Sequence, residues 1–385
     1  MDAIKSACGL CFLQDKTGGR RITTPSAHED GSHLKAQMGT LKSTPLKRPR
    51  SAVTLKAVAQ HLGLTPGTVS AVLNNSSAAR SIPEHTRKRI VAAARELNYR
   101  PNFLARSLRV QRTFSIGVIA EEIGDAYGGM VVSGIEAYLS EKNYFFFTVA
   151  HRHDARLLEA YSDMLLARGI EGFITIDTSI AEPPVLPTIA VAGHQRMENV
   201  TNIILDHRRA AELGLHHLKQ LGHTRIAFLK GQEKSSDSAT RWAAIEEAAR
   251  RFEITIDPGI VMRLEGVDST PELGYPYGKA LLARNVPFTA LFAYNDISAI
   301  GAMRAFQEAG RRVPEDISVV GFDDIALASF SIPTLTTVRQ PLLKMGRIAA
   351  QTLINRIEER EGYLPEIAVE PEMVVRASTT TAPAL

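Results

Sequence analysis

The sequence predicts a small all-α helix-turn-helix domain followed by a larger α/β body, and three observations carry that expectation. Basic charge is concentrated in one short stretch, two short amphipathic helices meet there around a Pro-Gly pair, and the remainder alternates strand-like and helical runs. A chain of 385 residues, 44% of them hydrophobic, is long enough to bury a sizeable core and to form more than one domain.

Residues 1–50 are rich in Ser, Thr, Gly, Lys and Arg with no hydrophobic period, and are expected to be a disordered N-terminal extension. They hold both cysteines, Cys8 and Cys11, as CGLC. Two thiolates are half a zinc site and no βαβ pattern adjoins them, so the extension reading is preferred and no metal or cofactor is expected. The body is left without a possible internal disulfide. No run of eighteen apolar residues occurs, and no apolar stretch near the N-terminus precedes a small-residue cleavage site. Neither a membrane span nor a secretory signal is expected, and the cytoplasm is the expected compartment.

Between Lys47 and Arg112 thirteen Lys or Arg face two acids, Glu84 and Glu96, a net charge of +11; residues 113–385 carry −9, within a total of +4. A basic module joined to an acidic one points to a polyanion bound through the first piece. A solvated basic face gives the same charge count, so helix geometry has to decide.

Thr54 is a plausible N-cap for a helix whose inner face is Leu55, Val58, Ala59 and Leu62 and which stops at Gly63. Thr65 then caps a second helix with Pro66 at its first position, where the missing N–H costs nothing. Pro66-Gly67 therefore opens a helix, with Val69, Val72 and Leu73 inward and Thr68, Ser70 and Asn74 expected outward. A third helix begins near Pro83, with Ile90, Ala94 and Leu97 inward and Arg87, Lys88 and Arg89 near its start. In RPNFLARSLRVQRT, Asn102 is placed to cap a short helix carrying Leu104, Ala105 and Leu108; a linker with some helical content is the alternative.

From Phe114 the runs FSIGVIA, FFFTVA, GFITID, TIAVA, NIILDH, RIAFLKG, ALFAYN and ISVVGF read as strands. Helical patterns at 156–168, 208–221 and 296–310 lie among them, which means parallel sheets covered on both faces. EIAVEPEMVVRAST reads as a final strand.

The order TLKAVAQHLGLTPGTVSAVLN, TRKRIVAAARELNYRPN and LARSLR resembles the DNA-binding headpiece and hinge of the lac repressor/gal repressor family of bacterial transcription factors. LGHTRIAFLKG, AYNDISAIGAMRAFQEAGRRVPEDISVVGFDD and IPTLTTVRQP extend the resemblance from residue 54 to about 376. The implied fold is a small all-α helix-turn-helix domain followed by an α/β periplasmic-binding-protein-like body of two doubly wound subdomains. The expected divisions are headpiece 51–101, hinge helix 102–112, effector-binding and dimerisation domain 113–378, and polar tail 379–385. Within the body the subdomains are expected at about 113–205 plus 325–335 and at 206–324 plus 336–378, with crossings near Asp206, Asp324 and Thr336.

The resemblance implies a second helix in the major groove and a hinge helix whose leucine, matched by Leu108, wedges into a minor-groove base step. DNA-binding positions fall on Thr54, Thr65, Pro66, Gly67, Thr68, Ser70, Ala71 and Asn74, and in the hinge on Asn102, Ala105, Arg106 and Leu108. Where relatives often place long polar side chains, this chain has Pro66, Gly67 and Ala71. Thr65, Thr68, Ser70 and Asn74 are therefore expected to do more, with shape readout taking a larger share.

An effector is implied in the cleft between subdomains, with carbohydrate as the default class. Tyr127, Asp206, Arg241, Asn295 and Asp323 are the candidate contacts: carboxylates, an arginine fork and an amide suit sugar hydroxyls or a small anion. After the fourth strand the chain reads VAGHQ, which puts Ala192 or Gly193 in a slot where many relatives keep Asp or Asn, with His194 beside it.

The chain lacks a Walker A sequence, a GxGxxG, a nucleophile elbow and clustered metal ligands, so an enzyme is not expected. The expectation is a ligand-responsive repressor that binds a near-palindromic operator in double-stranded DNA as a homodimer. An activator, or a purine or sugar-phosphate effector, is the alternative. No leucine heptad follows the last strand to build a tetramer.

Overall fold

The computed structural model describes residues 53–100, 107, 110–193, 196–266, 270–360 and 362–383. The extension with Cys8 and Cys11, the hinge positions Asn102, Ala105, Arg106 and Leu108, and His194 lie outside the described residues. The chain divides into two units, 1–102 and 103–385.

In the first unit α1 (Leu55–Leu62) begins where the Thr54 hydroxyl accepts a hydrogen bond from Ala57 N, 3.2 Å, and ends at Gly63 with φ 67°. That left-handed turn satisfies the last carbonyls through Gly63 N and suits glycine. Thr65 caps α2 (Pro66–Leu73) by accepting from Thr68 N, 3.2 Å, with Pro66 in the first turn. A 3-10 turn (Ser77–Ser81) leads to α3 (Glu84–Glu96). Val58, Ala59, Val69 and Ile90 form the small core that fixes α2 against α1 and α3.

The second unit contains β1 (Ser115–Ala120), α4 (Ala126–Glu141), β2 (Phe145–Ala150), α5 (Ala155–Leu166), β3 (Phe173–Ile176), β4 (Thr188–Val191) and β5 (Val200–Leu205). It continues through α6 (His207–Gln220), β6 (Ile226–Lys230), α7 (Ser238–Arg251), β7 (Val261–Arg263), α8 (Gly274–Ala283) and β8 (Ala290–Phe292). It closes with α9 (Asp296–Glu308), β9 (Ser318–Asp323), β10 (Thr336–Arg339), α10 (Leu342–Ile357), β11 (Glu366–Val369) and β12 (Glu372–Val374). Among the described residues these strands make two six-stranded sheets, ordered β11-β5-β4-β3-β1-β2 and β12-β10-β9-β8-β6-β7. The first is parallel throughout, and in the second only the β10–β12 pair is antiparallel.

Burial on both faces explains why the strands read as continuous apolar runs. In β6, Ile226 and Phe228 join one core while Ala227 and Leu229 join the other, and in β9 Val320 and Phe322 alternate with Val319 in the same way. Among the described residues no helix is long and apolar enough to cross a membrane.

Strand pairing places two of the three crossings differently from the sequence reading. The chain leaves the first sheet after Leu205, but residues 325–335 stay with the second subdomain, where Ala328 and Leu335 sit in its core. The next strand, β10, pairs with β9 from Thr336↔Val320 onward. The return to the first subdomain comes at Gln340–Leu342, because α10 packs on α4 and β11 pairs with β5. EIAVEPEMVVRAST is two strands in two sheets, separated at Glu370-Pro371, where proline offers no N–H to continue a ladder. Residues 379–382 are docked rather than a free tail: Thr380 N donates to Ser318 Oγ, 3.0 Å, and Ala382 N to Leu221 O, 2.8 Å.

Helices α4 and α10 approach through glycines. A Cβ on Gly346 would lie 2.0 Å from Val131 O, and one on Gly134 would lie 2.1 Å from Leu343 O. Gly346→Ala is therefore expected to force the helices apart and cost about 1–3 kcal/mol in urea unfolding. Gly129→Ala on the same helix α4, where a Cβ meets nothing within 4 Å, should be neutral or stabilising by up to about 1 kcal/mol. Equal effects at the two positions would remove the close-approach explanation.

Candidate functional site

The headpiece presents the start of α2. Pro66 and Gly67 are exposed behind the Thr65 cap, and the Thr65 and Thr68 hydroxyls are 2.9 Å apart. Thr54 is also exposed, while Thr68 and Ala71 are half-buried. Ser70 corrects the sequence reading: it is only 8% exposed, covered by Asn74, whose Nδ2 donates to Ser70 O at 2.9 Å and to Ser70 Oγ at 3.1 Å. One turn of helix separates the two, so the longer side chain folds back over the shorter. Asn74 is exposed but its amide is engaged at home.

In the second unit a cavity of about 400 Å³ opens where the carboxyl ends of β1, β3, β6, β7, β8 and β9 converge. Ligands occupy this edge in open α/β sheets because crossover loops and helix N-termini, rather than packed backbone, surround it. Of the five effector candidates, Tyr127, Arg241, Asn295 and Asp323 line the cavity. Asp206 does not. It is the N-cap of α6, its Oδ1 accepting from Arg209 N at 2.9 Å, a role that any strand-to-helix junction offers an aspartate.

Arg241, on the first turns of α7, is only 4% exposed. Its Nη1 donates to Tyr294 O at 2.6 Å and its Nη2 to Asp237 Oδ2 at 3.0 Å, and the guanidinium lies 3.8 Å over the Phe322 ring and 4.4 Å over Tyr294. Its Nε is buried without a hydrogen-bond partner, as is the Tyr127 hydroxyl on the opposite side. Burial pushes the Tyr127 phenol well above its ordinary range, so it stays neutral and available to donate. Asn295 caps α9: its Oδ1 accepts from Ser298 N at 2.9 Å, leaving Nδ2 as its remaining donor.

Asp323 ends β9 with φ 108°, and Asp324 follows at φ 59°. Two successive non-glycine residues at positive φ are uncommon, and the conformation is held because both side chains are tied. Gln340 Nε2 donates to Asp323 Oδ1 at 2.6 Å; Asp324 accepts from Arg339 at 2.7 Å and Arg376 at 2.6 Å. Burial raises the Asp323 carboxyl to about 7, against the opposing pull of Arg241 and the Gln340 hydrogen bond.

The charge cluster of the first subdomain was not among the sequence candidates. Glu121, Glu122, Asp125 and Asp177 all line the cavity, following β1 and β3. Asp125 caps α4, both carboxylate oxygens lying 3.1 Å from Gly128 N. A Cβ on Gly128 would sit 2.6 Å from Asp125 Oδ1, so the tight turn requires glycine. Acids directly after an apolar strand, as in VIAEEIGD and FITID, are the signal that identifies them. The VAGHQ slot leads elsewhere: Gly193 lines a separate cavity of about 240 Å³ with Asn202, Met197 and Ser236. Ser236 joins the two subdomains, its Oγ 2.5 Å from Asp177 Oδ1 and 2.6 Å from Ala192 O. Among the described residues no group of three His, Cys, Asp or Glu is placed to hold a metal ion.

The raised carboxyl of Asp323 sets a pH dependence. An unfolded aspartate titrates near 3.9 and the folded one at about 7. Its contribution to stability is full below about pH 4 and lost as pH rises through about 7. Asp323→Asn lacks it, so the variant should gain on the parent chain by on the order of 2 kcal/mol between pH 5 and pH 8 in urea unfolding. Parallel pH profiles would contradict the burial of this group.

Residues 54–102 match the family model for bacterial regulatory proteins of the lacI family, and residues 215–379 match the periplasmic binding protein-like domain. The HTH-type transcriptional repressor PurR of Haemophilus influenzae is 32% identical over 335 residues, covering 84% of this chain and 98% of that protein. The lac repressor dimer bound to operator and the anti-inducer ONPF superposes with TM-score 0.73 at 28% identity, over 86% of this chain and 99% of that one. A complex of the transcriptional regulator CelR with cellobiose gives 0.63 at 27%, over 84% and 99%. With a capped helix-turn-helix, two largely parallel sheets bordering one cleft and these relatives spanning both units, the chain belongs to the lacI family of bacterial transcriptional regulators.

Proposed function

We propose that this chain is a cytoplasmic repressor that binds a near-palindromic operator as a homodimer, and that a small hydroxyl-rich metabolite in the 400 Å³ cleft switches it. The observation that carries the reading is the pair of buried, unpartnered donors, Tyr127 Oη and Arg241 Nε, among carboxylates at the edge of both sheets. Such a lining serves recognition and, among the described residues, pairs no nucleophile with a base, so the chain is read as a sensor rather than an enzyme. Tyr127, Arg241, Asn295 and Asp323 are its effector contacts in this reading. A hydroxyl both donates to carboxylates and accepts from these donors. The cellobiose complex of CelR supports the carbohydrate class.

For the homodimer, the second subdomain exposes Leu327 at 44%, Phe330 at 81% and Ile332 at 86% in one short segment, an apolar patch that a second copy would cover. The lac repressor dimer bound to operator supports this assembly. In the headpiece, Thr65, Pro66, Gly67, Thr68, Ala71 and Asn74 form the groove-facing side of α2, and Thr54 caps the start of α1. Asn102, Ala105, Arg106 and Leu108 supply the hinge. At the body's entrance Glu171 holds the incoming chain: Arg112 donates to Oε2 at 2.7 Å, and Thr113 N and Phe114 N to Oε1 at 2.6 and 2.9 Å. A change of angle between subdomains therefore reaches the hinge through a clamped segment.

Two outcomes test this reading. On a duplex selected from a random library, fluorescence anisotropy should show log affinity falling with log salt by roughly 0.9 per phosphate contacted, and Leu108→Gly should lose most of its preference over random duplex. A variant that discriminates as well as the parent removes the hinge from the mechanism. Arg241→Ala should weaken the effector about tenfold to a hundredfold in calorimetry and leave operator binding without effector unchanged, since a ligand contact alters only the ligand's differential affinity. Loss of operator binding in a folded Arg241 variant would instead make Arg241 part of the switch.

A further inference from the structure

The two walls of the cleft differ in charge, and on the reading that the cleft is the effector site this difference specifies the effector's chemistry. The first subdomain contributes four carboxylates, Glu121, Glu122, Asp125 and Asp177, and no Lys or Arg. Among the described residues that line this wall the basic group is His153, whose Nδ1 contacts Glu121. On the opposite wall Arg241 is matched by Asp237 and faces Asp323, while the exposed rim holds Glu233 and Glu265 against Lys234 and Arg263. Negative charge is therefore in excess on the first wall, and the two unpartnered donors, Tyr127 Oη and the Nε of the 4%-exposed Arg241, also line the space.

Carboxylates brought together out of water repel, and one way to hold them is to keep a proton among them. Burial, with Asp177, Glu122 and Asp125 nearby and a hydrogen bond to Asp177, pushes Glu121 up to about 9, which keeps a proton among them. An inorganic cation does not fit, because no three of the described acidic or imidazole side chains are placed to hold a metal ion. The carboxylates are instead spread around a space sized for a small organic molecule. An ammonium group supplies three donors and the compensating charge, where a neutral hydroxyl supplies one donor and none.

We propose that the effector is a small hydroxylated amine, its ammonium held by Asp177 and Glu121 in the field of Glu122 and Asp125, and its hydroxyl oxygens accepting from Tyr127 and Arg241. An amino sugar is the simplest molecule of that kind. The test is calorimetry and thermal shift on the full chain with matched triplets: glucosamine, N-acetylglucosamine and glucose, with the galacto and manno counterparts, and hypoxanthine as a flat neutral control. At least one free amine should bind tenfold or more tightly than its N-acetyl and hydroxyl partners. Asp177→Asn and Glu121→Gln, each checked for an unchanged melting temperature without ligand, should remove that preference. Neutral members binding as well as the amines, or no amine binding at all, overturns the proposal. If a neutral sugar or the nucleobase binds and Arg241→Ala abolishes it, the cleft remains the effector site and only the charge inference falls. A ligand whose affinity neither Arg241→Ala nor Asp177→Asn reduces would overturn both.

Discussion

A parallel strand can only be followed by a crossover, and in both sheets of the body this constraint gathers the carboxyl ends of the strands on one edge. Glu121 after β1 and Asp177 after β3 thereby face Asn295 after β8 and Asp323 at the end of β9, although the four are spread over two hundred residues. The three crossings, after Leu205, at Gln340–Leu342 and between Val369 and Glu372, leave the sheets as separate bodies joined by short segments. Such an arrangement bends at its junctions more readily than within its sheets, which is the mechanical property a ligand switch needs.

Arg241 shows how a charge is kept out of water in that edge. Its desolvation would be costly alone, but Asp237 takes one nitrogen, the Tyr294 carbonyl another, and Phe322 and Tyr294 present ring faces to the guanidinium. Asp323 is held in a left-handed backbone by Gln340 and stands near neutrality in its titration, while Asp324 beside it is fully paired with Arg339 and Arg376. Two adjacent aspartates thus differ in setting: Asp324 is paired with two arginines, while Asp323 is held by Gln340 and lines the cleft. The Ser236 contacts to Asp177 and Ala192 close the far side and bring the two subdomains together.

Much was determined by the sequence alone. Thr54, Gly63, Thr65 and Pro66 define both ends of α1 and the start of α2 through local backbone chemistry, because caps act within three residues and need no tertiary partner. The apolar runs of β1, β3 and β9 announce strands buried on both faces, and the family resemblance, together with places near strand ends or helix starts, singles out Tyr127, Arg241, Asn295 and Asp323, which line the cleft. What only the tertiary structure decided is pairing. EIAVEPEMVVRAST is locally one extended run, and its division between two sheets depends on β5 and β10 accepting its halves. Ser70 has an outward-reading position in the helical period yet is covered by Asn74, and Asp206 looks like a cleft carboxylate yet caps α6. The acidic wall emerged only when β1 and β3 were laid side by side, since charge density in a cleft is a property of distance between chain segments, and local sequence carries no measure of that distance.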